Sequence, residues 1–274
     1  MMIGEVRSMP ESGSSFWDVE SEFFGSENAD GLNETEPSKD IRSSIADNRQ
    51  ILNILFLIDV SGSMRGQRIG QVNYALENII KELRRRDDVN SVIKIGIMEF
   101  ADSANWVTPQ PFPLEDFVFT QIKVVPWVTN YANAFRALNE KLRREAFLNP
   151  DLGEYFAPLI LFVTDGEPVD VGEYPKALEG LKKNGWFKKS IKYAIAVGEE
   201  AKNEEIGNLL AQFTGIKENV RYADEGEALC SLIEYIAIRA SEVQTSMVSS
   251  GDQRKKKEES IFSGMDPSLF ASTF

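Results

Sequence analysis

Two stretches of the chain, "ILNILFLID" (51–59) and "APLILFVTD" (157–165), are apolar almost throughout, and each ends in an aspartate. A strand with one wet face alternates apolar and polar residues; these do not, apart from Asn53, and so must be covered on both faces. Amphipathic stretches lie around them. Residues 68–86 place Ile69, Val72, Leu76, Ile79, Ile80 and Leu83 on one side at spacings of three and four, which predicts a helix. Helices are likewise predicted over 130–146 (Ala134, Phe135, Leu138 and Leu142 inward), 172–183, 203–215 closing at Gly215, and 226–243 with Leu229, Leu232, Ile233, Ile236 and Ala240 inward. Strands are predicted over 91–101, 190–198 and 218–223, with 105–109 short and extended; residues 118–125 carry no clear pattern. Strands alternating with helices give an α/β fold, a doubly wound and mostly parallel central sheet with helices on both faces. Ligands of such sheets bind beyond the carboxyl ends of the strands, where the winding reverses. Asp59 and Asp165 are expected there.

The composition narrows the chemistry. Among 274 residues there is no histidine and one cysteine, Cys230, which sits in an apolar helical pattern as a small hydrophobe. Zinc sites built on His and Cys, Ser-His-Asp triads, Cys-His dyads and intrachain disulfides are excluded together. A metal here must be held by oxygen, which points to Mg²⁺, Mn²⁺ or Ca²⁺. The net charge of −13 argues against broad binding to nucleic acid or anionic membrane. No apolar run approaches a membrane span and the start has no signal-peptide pattern, so a cytoplasmic protein is expected.

Three regions are expected. Residues 1–48 form an acidic segment, with ten acids against two bases up to Asp40, and are read as disordered. Within them "SFWDVESEFFG" (15–25) has the composition of a short docking segment. Residues 49–244 form the folded domain, and 245–274 a flexible tail. Arg84, Arg85 and Arg86 end the first long helix, where its dipole favours cations.

"DVSGSM" (59–64) turns the first buried strand into a loop. The side chains of Asp59, Ser61 and Ser63 can converge there, Val60 points elsewhere, and Gly62 is expected to allow the bend. One carboxylate and two hydroxyls make an incomplete shell for an octahedral ion. Further oxygens are available on other carboxyl-end loops: Thr129 ahead of a helix, and Asp165 with Thr164 beside it. Without a metal, the same residues would be ordinary turn and cap residues. A third reading, phosphoryl transfer with Asp59 as nucleophile, lacks the second acid two residues on, where Ser61 stands.

These pieces resemble the von Willebrand factor A (VWA) domain. "DVSGSM" matches its DxSxS motif, Thr129 its separate metal-binding threonine, and "FVTDGEP" its TDG aspartate, in family order over roughly residues 50–243. The resemblance implies a metal-ion-dependent adhesion site holding Mg²⁺, with Mn²⁺ as the other option. Ser61, Ser63 and Thr129 would bind the ion through their hydroxyls. Asp59 and Asp165 would act mainly through water or switch to direct contact, and an acidic side chain from a protein partner would complete the shell. Where many relatives carry glycines before the threonine, this chain has Pro126, Trp127 and Val128, which leaves Trp127 either on the rim of the binding face or in the core. "SGSMRGQRIGQVNYAL" and "PLILFVTDGEPVD" look most like the bacterial tellurium-resistance-associated (TerY-type) members. That likeness implies a non-enzymatic adaptor in stress or conflict signalling, beside a PP2C-type phosphatase and a protein kinase. Some other bacterial relatives serve AAA⁺ ATPases, which is the alternative role.

Overall fold

Strand β1 (Gln50–Asp59) is buried from Ile51 onward. It pairs in parallel with β2 (Ser91–Phe100) on one side and β5 (Leu159–Thr164) on the other. The computed structural model describes residues 49–86, 91–198 and 202–223, together with 229, 231, 233, 235, 237 and 238; all belong to one unit, Asp47–Phe274. The expected tails 1–48 and 245–274, the segment 15–25 and Cys230 lie outside the described residues.

The sheet runs β3 (Ala104–Trp106), β2, β1, β5, β6, β7, with β6 (Ile191–Val197) and β7 (Val220–Ala223) continuing the parallel order. Two short strands, β3 (Ala104–Trp106) and β4 (Phe112–Pro113), pair antiparallel with β2. The chain therefore winds outward from β1 to β2, returns, and winds the other way through β5, β6 and β7. The reversal falls between β1 and β5, the crevice that a doubly wound sheet offers to ligands. The mostly parallel α/β architecture expected from the sequence is the one observed.

Period-two alternation divides β1 between two cores. Leu52, Ile54, Phe56 and Ile58 join Val72, Leu76, Ile79 and Leu83 of helix α1 (Gln67–Arg86), with Leu229 and Ile233. Leu55 and Leu57 face the other way. There they join Phe135 and Leu138 of α2 (Tyr131–Lys141), Leu178 and Leu181 of α3 (Tyr174–Lys183), Phe187 of α4 (Gly185–Lys189) and Phe213 of α5 (Glu204–Thr214). Phe162 is central to this second core: it stacks on Phe100 at 5.0 Å, meets Tyr131 edge-on at 5.0 Å and touches Phe213 at 5.0 Å. Truncating such a ring to alanine costs about 3–5 kcal/mol.

Local signals set the helix ends. Asn130 caps Asn133 N at the start of α2, Asn203 caps Ile206 N at the start of α5, and Gly215 closes α5 at φ +76°. The helix expected over 130–146 stops at Lys141. Phe147 and Leu148 fold back into the second core, where Phe147 meets Trp106 edge-on at 4.6 Å, and their burial overrides the helical propensity of the charged residues before them. Among the described residues no helix is long and apolar enough to cross a membrane.

Candidate metal centre

Asp59 is the last residue of β1 and fully buried. Its Oδ1 accepts from the backbone N–H of Ser61 at 2.8 Å. Its Oδ2 accepts from the Thr164 hydroxyl at 2.7 Å and from the Thr129 hydroxyl at 3.4 Å. Tyr131, buried on α2, donates its hydroxyl hydrogen either to Thr164 Oγ1 at 3.1 Å or to the Gly166 carbonyl at 2.8 Å. Burial pushes the Asp59 carboxyl above its usual range, and the negative charge of Asp165 adds to the shift. The hydrogen bonds from the Ser61 backbone, Thr164 and the Ser61 hydroxyl oppose it.

Past Asp59 the chain enters a single 3-10 turn, Gly62–Met64, preceded by Ser61 in extended conformation. This turn swings Ser61 and Ser63 onto the same side. Their hydroxyl oxygens lie 3.0 Å apart, and Ser63 donates to Asp165 Oδ1 at 2.8 Å. The bend does not use Gly62: the positive φ in this loop belongs to Gly66, at +85°, and an added Cβ at Gly62 would make only ordinary contacts. The expectation for Gly62 is corrected accordingly, because a 3-10 turn needs only right-handed backbone.

Three backbone bonds fasten the loops around this turn. Gly62 N–H donates to the Trp127 carbonyl at 3.0 Å, Val125 N–H to the Val60 carbonyl at 2.9 Å, and Val169 N–H to the Thr129 carbonyl at 2.9 Å. Asp59, Ser61, Ser63, Thr129 and Asp165, from three loops at the carboxyl end of the sheet, thus form one connected group of oxygens. Trp127 is exposed rather than in the core.

Arg68 and Gly198 carried no signal strong enough to be singled out in the sequence, and Asp170 was noted only as the last residue of "PLILFVTDGEPVD". Arg68, in the first turn of α1, donates through Nη1 to Asp165 Oδ2 at 2.7 Å and to the Ser63 carbonyl at 3.2 Å. Asp170 accepts from Tyr131 N at 3.0 Å and Ala132 N at 2.7 Å, fixing the start of α2 behind Thr129. Gly198, at φ +92°, lies against Arg68: a Cβ there would be 2.7 Å from Nε. Tyr131, noted in the sequence only as part of a helical stretch, also belongs to the network.

The donor set fits a hard divalent cation. All five side chains offer oxygen, two are carboxylates, and the neighbouring oxygens at 3.0 and 2.8 Å match the edge of a Mg²⁺ octahedron, about 2.9 Å for bonds of ~2.05 Å. Among the described residues no group of three or more His, Cys, Asp or Glu could hold a metal.

The sequence model of the von Willebrand factor type A domain matches residues 53–234. The chain belongs to the VWA domain family. Mouse inter alpha-trypsin inhibitor heavy chain 4 is 33% identical over 129 residues, which is 44% of this chain and 13% of that protein. Human inter-alpha-trypsin inhibitor heavy chain H6 is 26% identical over 189 residues, 65% of this chain and 14% of that protein. The matched VWA region is thus a small part of these curated relatives. Two solved structures share the fold: the pilus adhesin SpaC from Lactobacillus rhamnosus GG in its open conformation (TM-score 0.54, 13% identity, 70% of this chain and 30% of that one), and a von Willebrand factor type A protein from Catenulispora acidiphila (TM-score 0.51, 11% identity, 70% and 43%).

Proposed function

We propose that this VWA domain is a non-enzymatic protein-binding module that depends on a divalent metal, Mg²⁺ or alternatively Mn²⁺. The observation that carries the reading is the unbroken run of oxygen contacts from Ser61 through Ser63 to Asp165, above a buried Asp59, at the crevice where the winding reverses. Ser61, Ser63 and Thr129 would hold the ion through hydroxyls, with Asp59 and Asp165 supplying the charge. When bound, the ion supplies an electron-poor position that an outside carboxylate can occupy, because three of its five side-chain donors are neutral. The chain's own residues hold this arrangement: Thr164 and the Ser61 N–H orient Asp59, and Asp170 fixes the helix that follows Thr129.

A phosphoryl-transfer reading fits less well. Asp59 has no exposed surface, and both its oxygens accept hydrogen bonds, so a nucleophilic attack from this carboxylate has no approach. The finer role proposed is a cytoplasmic bacterial adaptor in stress or conflict signalling, tellurium resistance included, that engages a kinase and a PP2C-type phosphatase. It rests on the likeness of "SGSMRGQRIGQVNYAL" and "PLILFVTDGEPVD" to TerY-type members. Kinase and phosphatase genes beside this one favour that role; an AAA⁺ ATPase gene favours the alternative.

Calorimetric titration with Mg²⁺ and Mn²⁺, in the presence of an acidic peptide, tests the module itself. Saturable binding in the native chain and none in Asp59→Ala/Ser61→Ala is the expected result. Equal heats in both proteins would place any metal elsewhere and remove the reading.

A further inference from the structure

After β4 the chain leaves the sheet without entering a helix. Residues 117–125 contain no turn or bend. They run along α1 in the opposite direction, with Arg84 donating to the Phe117 carbonyl and Asn73 to the Ile122 carbonyl. Those two side chains stand about three turns apart on α1, roughly 16 Å along its axis. The stretch from Phe117 to Ile122 reaches about 16 Å only as an extended strand. Phe117 and Ile122 are buried in the core that α1 covers, with Phe119, Val124 and Val125 packed against it. Val118, Thr120, Gln121 and Lys123 are exposed, and Val118, at 83%, is the most exposed large hydrophobic side chain among the described residues.

A strand needs partners for its backbone, and within 118–124 Ile122 alone has them. Asn73 accepts from the Ile122 N–H through Oδ1 at 2.7 Å and donates to its carbonyl through Nδ2 at 2.9 Å, as a peptide group of a neighbouring strand does. From Val118 to Gln121, and at Lys123 and Val124, no backbone group bonds to another described residue. Adjacent residues of a strand turn these groups to opposite edges, so those of Gln121 and Lys123 face away from Asn73. The sequence "VFTQIKVV" (118–125) is of the β-branched and aromatic kind that sheets favour. An open edge built from it is a template for another strand.

The charges say which strand. Glu115 and Asp116 stand just before the segment and Lys123 near its end, and residues 113–128 hold no other charge. On α1 alongside, Lys81 is paired with Glu77 and Arg85 with Glu82. Arg84, bound to the carbonyls of Leu114 and Phe117, offsets one of the two acids. One end is thus negative and the other positive. Two copies laid antiparallel about a two-fold axis bring each Lys123 to the other's acids, whereas a parallel pair would align like charges. We propose that residues 117–124 form a self-complementary edge through which two copies of this chain pair as antiparallel strands. The contact uses no group of the metal centre and stands independently of the metal-dependent reading.

Sedimentation velocity of the full chain over a micromolar concentration series tests this. The runs contain EDTA, which removes association made through a metal ion, and a reversible monomer–dimer equilibrium is the expected result. Gln121→Pro removes an N–H that bonds nothing within the chain, at an extended position open to proline. It should leave the unfolding midpoint unchanged and weaken association at least about tenfold, since each copy loses a ladder bond. Lys123→Glu, at an exposed position, should weaken association by about tenfold too, because the two-fold repeats the lost pair. Adding Glu115→Lys and Asp116→Lys to Lys123→Glu should restore it. A chain that stays monomeric throughout the series overturns the proposal. So does a dimer that neither Gln121→Pro nor Lys123→Glu weakens, or one that the charge swap fails to restore.

Discussion

Helices α1 and α2 both begin at the rim where β1 and β5 end, and their first turns are treated in opposite ways. The start of α2 is closed by anionic and polar caps: Asp170 takes two backbone N–H groups and Asn130 a third. Both the dipole and the unpaired N–H groups favour that arrangement. The start of α1 carries a cation, Arg68, which the dipole opposes, and no acid stands in its first turn. What holds Arg68 there is Asp165, five residues before Asp170 on the same loop. One loop thus delivers two carboxylates, one committed to backbone groups that stay in place, the other bonded to side chains that can rearrange. A carboxylate anchored by a helix terminus builds the fold; one held by Ser63 and Arg68 is the one that the proposed function assigns to a metal.

Exchanging the two carboxylates for neutral groups is the strongest way to break this comparison. Asp165→Asn should weaken Mg²⁺ binding by about 10–100-fold, the scale for a carboxylate that acts on the ion mainly through water, with little change in unfolding midpoint. Asp170→Ala should cost about 2 kcal/mol of stability in urea, the upper end for a lost helix cap, and weaken metal binding less. Similar stability losses in both would mean that Asp165 is structural too.

Gly198→Ala comes next. A left-handed backbone position costs a side chain about 1–2 kcal/mol, and the new Cβ would push the guanidinium off Asp165. Stability should fall while Mg²⁺ affinity rises. Arg68→Met isolates the second effect: removing one partly screened positive charge near the ion should tighten Mg²⁺ by about fivefold. Weaker binding in Arg68→Met would show that Arg68 serves chiefly to position Asp165.

The smallest effect is expected at the exposed pair of Arg136 on α2 and Glu173, 2.7 Å apart. The hydrogen bond from Arg136, and then its charge, hold the Glu173 carboxyl below its usual range. A depressed carboxyl adds stability above its unfolded pKa and loses it as pH falls through the folded one. In Arg136→Met, NMR titration should show Glu173 returning upward, with no measurable change in unfolding midpoint because the pair is exposed. A clear destabilisation would show that exposed charges on this rim matter as much as buried ones.

The central strands were legible because burial on both faces leaves a continuous apolar signature, and β1 and β5 carry it almost unbroken. Asp59, Ser61, Ser63 and Asp165 stood out because short oxygen-bearing residues are conspicuous after such strands; Thr129, which follows no strand, stood out only ahead of a helix and through the family resemblance. Residues 118–125 were not, and they adopt no regular element. They are held by side chains distant in sequence: Asn73 exchanges two hydrogen bonds with the backbone of Ile122, at 2.7 and 2.9 Å. Just before them, Arg84 donates to the carbonyls of Leu114 and Phe117. Arg84 was read from local charge as a dipole partner, yet its observed bonds go to a separate loop. Arg68 escaped notice for the same reason, since its partner Asp165 lies 97 residues away. Local pattern reveals burial and turns, whereas bonds of long sequence separation appear only once the sheet exists.

The bond from Thr164 to Asp59 joins residues 105 positions apart. The five oxygen-bearing side chains cannot meet until β1 and β5 have paired, an event of long loop closure that local helix formation does not require. On the metal-dependent reading proposed above, affinity for the ion would be a property of the completed sheet and absent from a chain in which β1 and β5 are unpaired. By mass action a bound ion pulls the population toward that completed state, by about 2.7 kcal/mol at a hundredfold excess over its Kd. Metal uptake, followed in real time during refolding, would serve as a clock for the pairing of β1 with β5.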